Sequence, residues 1–233
     1  MLNSKEYPYE KLYPKGVYDL LPTGRGFVFI AEQNRTDDGN IVIAYKHHSF
    51  SESATTLVAR SVFLLAKFGP NYAFYQKNLP DFINCRAASL PGYRTLIVLP
   101  TGEAMIYDND CVLKWQGAFQ YKDLGPADIA PDGDFLWCSY PENNEIIKYN
   151  LKTMRMDMRI GSPGSDGLPA PYGIFINQDH EMIVTSGETD MIYKLNLETF
   201  FMEQYQVLTE PAYKYIKVES NEVILTDSGI FRL

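Results

Sequence analysis

The stretch "LGPADIAPDGDFLWCSYPENNEIIKYNLKT", Leu124 to Thr153, contains three apolar runs separated by a turn and a polar break. "ADIA" reads as a first strand. "PDGD" is a tight turn in which Gly133 provides positive φ, and "FLWCS" is a second strand. "YPENN" is a loop, "EIIKYNL" a third strand, and the following "MRMDMRIG" an outer fourth strand. The runs are short, rich in Val, Ile, Phe and Tyr, and punctuated by Gly, Pro, Asn and Asp, the pattern of strands and not of helices.

Similar units occur elsewhere in the chain. "LLPTGRGFVFIAEQ" (Leu20 to Gln33), "IVLPTGEAMIYDND" (Ile97 to Asp110), "IFINQDHEMIVTSGETD" (Ile174 to Asp190) and "IKVESNEVILTDSG" (Ile216 to Gly229) have the same shape, and "LLAKFGPNYAFYQKN" (Leu64 to Asn78) is a weaker copy. Their turns centre on Gly24, Gly69, Gly102, Gly133, His180 and Asn221, at intervals of 31 to 47 residues. Such a period signals a stacked or radial repeat. Four antiparallel strands per unit describe a propeller blade, and a closed ring protects the edges that a flat array exposes. The expected fold is therefore all-β, a single-domain six-bladed β-propeller. Its blades would be approximately 14–58, 59–91, 92–122, 123–168, 169–209, and 210–233 joined by 5–13. The last unit has three strands, ending in "GIFRL", and the N-terminal "KEYPYEKLY" (Lys5 to Tyr13) is the spare strand that closes it. Gly24, Gly102 and Gly133 are expected to share one role, in positive-φ turns between first and second strands.

Composition agrees with a folded β-rich chain. The 233 residues are 45% hydrophobic and 14% aromatic, with 17 Tyr and 13 Phe. Aromatic rings suit pleated surfaces. A net charge of −8 argues against nucleic acid or an anionic membrane surface as the main partner. The N-terminal "MLNSKEYPYE" shows no signal-type apolar region, giving cytoplasmic as the expected location. Cys85, Cys111 and Cys138 have no metal or disulfide spacing and read as reduced, mostly buried thiols.

The join "RIGSPGSDGLPAPYGIFINQDHEMIVTSGETDMIYKLNLETF" resembles NHL repeats and the related six-bladed propellers of the SMP-30/gluconolactonase and strictosidine-synthase group. Gly161 to Gly167, Pro171, Gly173, Ile174, Ile192, Tyr193 and Leu195 carry the resemblance, which is good over about residues 123–208. It implies a scaffold, a binder or an enzyme. For an enzyme it implies a divalent metal, Ca or Zn, at the top of the channel and a lactonase-like hydrolase or lyase activity. The sequence departs from that pattern. Tyr172 stands where the metal-binding asparagine is expected, in Pro171-Tyr172-Gly173. The first blade begins with Lys15 and Gly16, with Asp19 as the nearby acid. The Thr-Asp-Ser of blade five is Thr185-Ser186-Gly187, although Thr226-Asp227-Ser228 keeps it in blade six.

The carboxylates Asp37, Asp38, Asp108, Asp110, Glu188 and Asp190 read as turn residues that hydrogen-bond locally. His47, His48 and His180 read as loop residues. No G-x-S-x-G elbow is present. The leading expectation is a non-enzymatic module, without cofactor, that recognises a protein or small ligand on the loop face around the channel. Tyrosine and arginine are the side chains that most often anchor binding. The expected site is Tyr93, Arg94, Tyr140, Tyr172 and Tyr213, with Arg35 at the rim and Asp128 on an inner strand.

Overall fold

Second strands such as "GFVFIA", "RTLIV", "FLWCSY" and "EMIVTS" are apolar with little alternation, and nearly all of these side chains are buried. A strand in the middle of a small sheet needs such a run only if both faces of the sheet are covered. In the computed structural model, which describes residues 9–79, 83–161 and 168–233, both faces are covered by neighbouring sheets.

The described residues form five four-stranded antiparallel sheets and not six. After β1 (Glu10–Pro14), blade 1 is β2 (Val17–Thr23), β3 (Gly26–Arg35), β4 (Ile41–Ser49) and β5 (Ala54–Leu57). Helices α1 (Arg60–Phe68) and α2 (Tyr72–Asn78) follow. Blade 2 is β6 (Arg86–Leu90), β7 (Arg94–Val98), β8 (Glu103–Tyr107) and β9 (Leu113–Ala118). Blade 3 is β10 (Asp128–Asp132), β11 (Phe135–Tyr140), β12 (Glu145–Asn150) and β13 (Arg155–Gly161). Blade 4 is β14 (Pro171–Ile176), β15 (Glu181–Ser186), β16 (Met191–Asn196) and β17 (Met202–Val207). Blade 5 is β18 (Ala212–Val218), β19 (Asn221–Thr226) and β20 (Gly229–Arg232), with β1 as its outer strand.

The segment expected as a second blade, 59–91, is instead the two helices and the first strand of the next sheet. In "RSVFLLAKF" the side chains of Phe63, Leu64, Lys67 and Phe68 are buried, while Val62 and Leu65 are exposed. That is a helical stripe and not an alternating one. Gly69, with φ 71°, ends the helix by donating its N–H to Leu65 O. Helix α1 packs against β2, β3 and β6 and so fills the gap between blades 1 and 2. Phe63 packs on Val28 and Ile30 of blade 1, and Leu64, Phe68 and Tyr75 pack with Ile97 of blade 2. The other gaps are filled by direct sheet packing. Leu96 and Val98 meet Leu136 and Cys138, Trp137 meets Ile174 and Val184, Ile183 meets Ile224, and Phe27 and Phe29 meet Ile216 and Leu225.

The ring closes as the sequence suggests. β1 pairs antiparallel with β20, Glu10 opposite Arg232 and Tyr13 opposite Ile230, and Glu10 forms an ion pair with Arg232. Tyr9 donates from its hydroxyl to Val207 O (2.8 Å), tying the strand to blade 4 as well. Lys5 to Pro8 of the expected closing strand, and residues 162–167 of the blade link, lie outside the described residues.

Two turn assignments change. Gly133 lies between first and second strands with φ 58°, as expected, but Gly24 does not have positive φ. Gly102 has φ 88° yet lies between β7 and β8, the second and third strands of its blade. The first turn of blade 2 is residues 91–93, so the strands of that sheet are shifted by one from the expected order. His47 and His48 are in β4 and not in a loop; His48 is buried, stacked on Phe27, with Nδ1 2.9 Å from Thr55 Oγ1.

The closing strand and the helical wedge give two tests. Removing residues 1–14 exposes the edge of β20 and is expected to lower the melting temperature and cause concentration-dependent aggregation, measured by thermal melts and light scattering. Phe63→Ala empties a fully buried site and is expected to cost about 3–5 kcal/mol in chemical denaturation.

Candidate functional site at the channel mouth

The inner strands β2, β6, β10, β14 and β18 surround the ring axis, and each enters from the same end. Three of them carry a break in register at that end, where one chain has an extra residue. The breaks fall between Val17 and Asp19, between Pro171 and Ile174, and between Ala212 and Lys214. The residues inside them are Tyr18, Tyr172 with Gly173, and Tyr213. A bulge re-aims the side chain that it carries, and bulges are over-represented beside functional sites. Here the same device, used in blades 1, 4 and 5, brings three tyrosines to one opening. Gly173 is required by the close approach of β18, because a Cβ there would lie 2.7 Å from Tyr213 O.

The opening is a cavity of about 260 Å³ lined by Tyr18, Asp19, Arg86, Ala127, Asp128, Tyr172, Tyr213 and Lys214. Beneath it the channel continues as a smaller space of about 160 Å³, which Lys67, Cys85, Ile129, Phe175 and Ile216 also line. Tyr172 and Tyr213 meet edge to face, with ring centroids 5.3 Å apart. Tyr213 donates to Asp227 Oδ2 (3.0 Å) and Tyr18 to Glu32 Oε2 (3.4 Å).

The floor is charged. Asp19 Oδ1 accepts from Lys214 Nζ (2.9 Å) and from Leu20 N (2.8 Å), and Asp19 Oδ2 faces Lys67 Nζ (3.4 Å). Lys67 also donates to Ile83 O (2.6 Å). Burial pushes the Asp19 carboxyl up, but the ammonium groups of Lys214 and Lys67 and the guanidinium of Arg86 outweigh it and hold the group well below the usual carboxylate range. Burial lowers the Lys67 ammonium, with Asp19 opposing. Arg86 Nε donates to Ala127 O (2.7 Å), and Asp128 Oδ2 accepts from Ile174 N (3.1 Å), linking β10 to β14.

The expected site residues divide into three groups. Asp128, Tyr172 and Tyr213 line the cavity. Arg35 sits beside it, in an adjoining hollow shared with Lys15, Tyr18 and Asp227, and pairs with Glu32 (2.8 Å). Tyr93, Arg94 and Tyr140 are not at the mouth. Tyr93 is 88% exposed in the turn between β6 and β7, at the opposite end of the ring, and Arg94 follows it there, donating to Pro91 O (2.9 Å). The one-strand shift in blade 2 is the reason. Tyr140 is fully buried between blades 2 and 3, donating to Phe119 O (2.8 Å) and lying 3.2 Å from Tyr149 Oη. Burial raises its pKa far above the ordinary tyrosine range. The same shift moves Asp108 and Asp110 to a turn between third and fourth strands, where Asp108 Oδ1 accepts from the backbone of Asp110 and Val112.

Sequence reading missed Tyr18, Asp19 as a floor residue, Lys67, Arg86 and Lys214. A signal for part of this set was present. "VYD", "PYG" and "AYK" each place a tyrosine second in a blade's first strand, so Tyr18 matches Tyr172 and Tyr213.

The residues at the mouth do not fit a divalent metal. The Asp19 carboxylate already faces two ammonium groups within 3.4 Å, and the ring of Tyr172 occupies the position of the expected asparagine. Among the described residues, no three His, Cys, Asp or Glu side chains come together as a ligand set.

No known protein family matches the sequence, and no curated protein is significantly similar to it. Solved structures align with it at low identity. Virginiamycin B lyase from Staphylococcus aureus is 11% identical over 97% of this chain and 71% of its own, with a TM-score of 0.48. A putative exported protein from Bacteroides fragilis is 14% identical over 63% of this chain and 46% of its own, with a TM-score of 0.46. The propeller architecture itself rests on the five sheets and not on these likenesses. No described helix is long and apolar enough to cross a membrane.

Asp19 provides a test of the floor. Asp19→Asn leaves the buried Lys67 and the half-buried Lys214 without their counter-charge and is expected to destabilise the fold by about 3–5 kcal/mol at neutral pH. The native pKa of Asp19 lies below its unfolded value of about 3.9, so its contribution is complete above that value and is lost as pH falls toward the native pKa. The stability gap between wild type and Asp19→Asn should therefore be largest near pH 7 and narrow below about pH 4, measured by urea denaturation across that range.

Proposed function

We propose that this protein is a non-enzymatic binding propeller that holds a small molecule in the tyrosine-rimmed mouth of its channel. The observation that carries the reading is the repeated bulge. Three separate strands depart from regular pairing at the same level, and each departure presents a tyrosine to the same cavity. A register break costs a ladder hydrogen bond. Breaks also recur between the third and fourth strands of blades 2, 3 and 4, but those in blades 1, 4 and 5 are the ones whose extra residue lines this cavity, while β6 and β10 begin beside it in regular register.

The size and chemistry of the cavity support a small ligand over a flat protein surface. It is concave, just under the usual range for ligand pockets, and combines aromatic walls with a few fixed charges. Tyrosine gives a large contact area with little entropy lost on binding. The two floor carboxylates are already engaged, Asp19 by lysines and Asp128 by a backbone amide, an arrangement suited to holding and orienting a ligand.

A fragment screen by ligand-observed NMR tests the reading. Tyr172→Ala and Tyr213→Ala are each expected to weaken bound fragments by tenfold or more, about 1.4 kcal/mol, while Tyr93→Ala at the opposite end leaves them unchanged. Fragment binding that survives both mouth substitutions in folded protein would place the working surface elsewhere.

A further inference from the structure

We infer that the ligand carries a carboxylate, seated on the guanidinium of Arg86 with Lys214 behind it. This rests on the mouth being a small-molecule site and specifies what the site selects.

Charge balance is the first argument. Lys67, Arg86 and Lys214 face Asp19 and Asp128 around the mouth and the channel below it. Among the described residues that line these two spaces, three cations against two carboxylates leave one positive charge in excess, in a chain whose net charge is −8. A monoanion neutralises this group. A dianion such as phosphate would leave it negative, with Asp128 repelling it from across the cavity.

The second argument is what Arg86 leaves open. Among the described residues it forms no ion pair, and its hydrogen bond is the one from Nε to Ala127 O, 2.7 Å. That bond fixes the plane of the guanidinium. Among the described residues the two terminal nitrogens have no hydrogen-bond partner, although Arg86 lines both the mouth and the channel beneath it. A guanidinium held on one side with its outer nitrogens free presents two parallel N–H donors, the geometry that a planar carboxylate matches with both oxygens. The lysines differ in this respect. Lys214 is bonded to Asp19, and Lys67 to Asp19 and Ile83 O, so they supply field more than contact. Above Arg86, Tyr172 and Tyr213 offer ring faces and edges to the apolar part of the ligand.

The test titrates the full-length protein, at low ionic strength, with benzoate, its neutral isostere benzamide, acetate and inorganic phosphate, followed by NMR. Benzoate and acetate are expected to bind, benzoate more tightly, and benzamide and phosphate at least tenfold more weakly than benzoate. Arg86→Gln should reduce benzoate affinity by tenfold or more. Arg86→Lys, which keeps the charge but loses the paired donors, should fall between, with thermal melts showing both variants folded. Should Arg86→Gln fail to fold, the ranking of wild type and Arg86→Lys decides. Benzamide binding as tightly as benzoate overturns the carboxylate assignment while leaving a small-molecule site in place. Phosphate binding more tightly than benzoate overturns it in favour of a phosphate-bearing ligand. Failure of both carboxylates to bind overturns it whatever the fragment screen returns.

Discussion

A buried carboxylate, Asp19, joins three parts of the ring. It lies on the first strand of blade 1 and meets Lys67 from the helical wedge and Lys214 from the first strand of blade 5. Those are the neighbours of blade 1 on either side. A buried ion pair is weak as a stabilising device, because desolvation cancels much of the attraction. Its effect is on geometry. Lys67 is acceptable at its depth only when Asp19 is within reach, so alternative placements of α1 strand a charge in the interior, and moving blade 5 away from blade 1 takes from the buried Asp19 the half-buried Lys214. Apolar packing of Phe63 against Val28 and Ile30 supplies the cohesion of the wedge, and the ion cluster adds the requirement for one orientation.

Around this seam the inner strands use two different means of pointing side chains at the axis. β6 and β10 begin in regular register, and their first residues, Arg86 and Asp128, reach the mouth from the pleat. β2, β14 and β18 bulge, and the residue in each bulge is a tyrosine. Glycine at position 173 lets the backbones of β14 and β18 approach, and Ser139 of the neighbouring blade fixes the bulge by donating to Tyr172 O (2.5 Å). The rim is thus determined by backbone irregularities, and the floor by charged residues held in regular or buried positions.

Much of the architecture was legible in the sequence because buried strands write themselves as apolar runs. The four strands of blade 3 and the closure by the N-terminal strand follow from run lengths and from counting strands at the two ends. The blade count was not legible, for a physical reason. "SVFLLA" is an apolar run of the length that periodicity cannot divide between helix and strand. The α1 helix also lacks the usual starting signals, having Ala59 before it, no side-chain cap and no acid in its first turn. The mouth was half legible. Tyr172 and Tyr213 follow from their places at the start of blades, whereas Tyr93 falls at the mouth only when blade 2 is phased one strand out. The Pro-Thr-Gly of blades 1 and 2 serves different turns in the two sheets, since turn chemistry specifies a local backbone shape and not a position within the blade. Arg86 and Lys67 carried no sequence signal, because their meaning depends on facing Asp19 across the axis.

The helical wedge connects these features. Had residues 59–91 formed a blade, a strand would stand where α1 now packs between β2 and β6, and the ring would be wider. The helix instead adds one buried cation, Lys67, to the wall of a narrower channel. Asp19 is then shared between two lysines, and among the described residues Arg86 forms no ion pair beside the open cavity. Under the reading proposed for the mouth, one local choice of helix over strand determines both the size of the ring and the sign of the charge at its centre. Apolar side chains would fill the seam with less desolvation. The charges kept there stand next to the level at which β2, β14 and β18 break register to present tyrosines, so that under the proposed reading the groups that orient the wedge are also the ones that face the ligand.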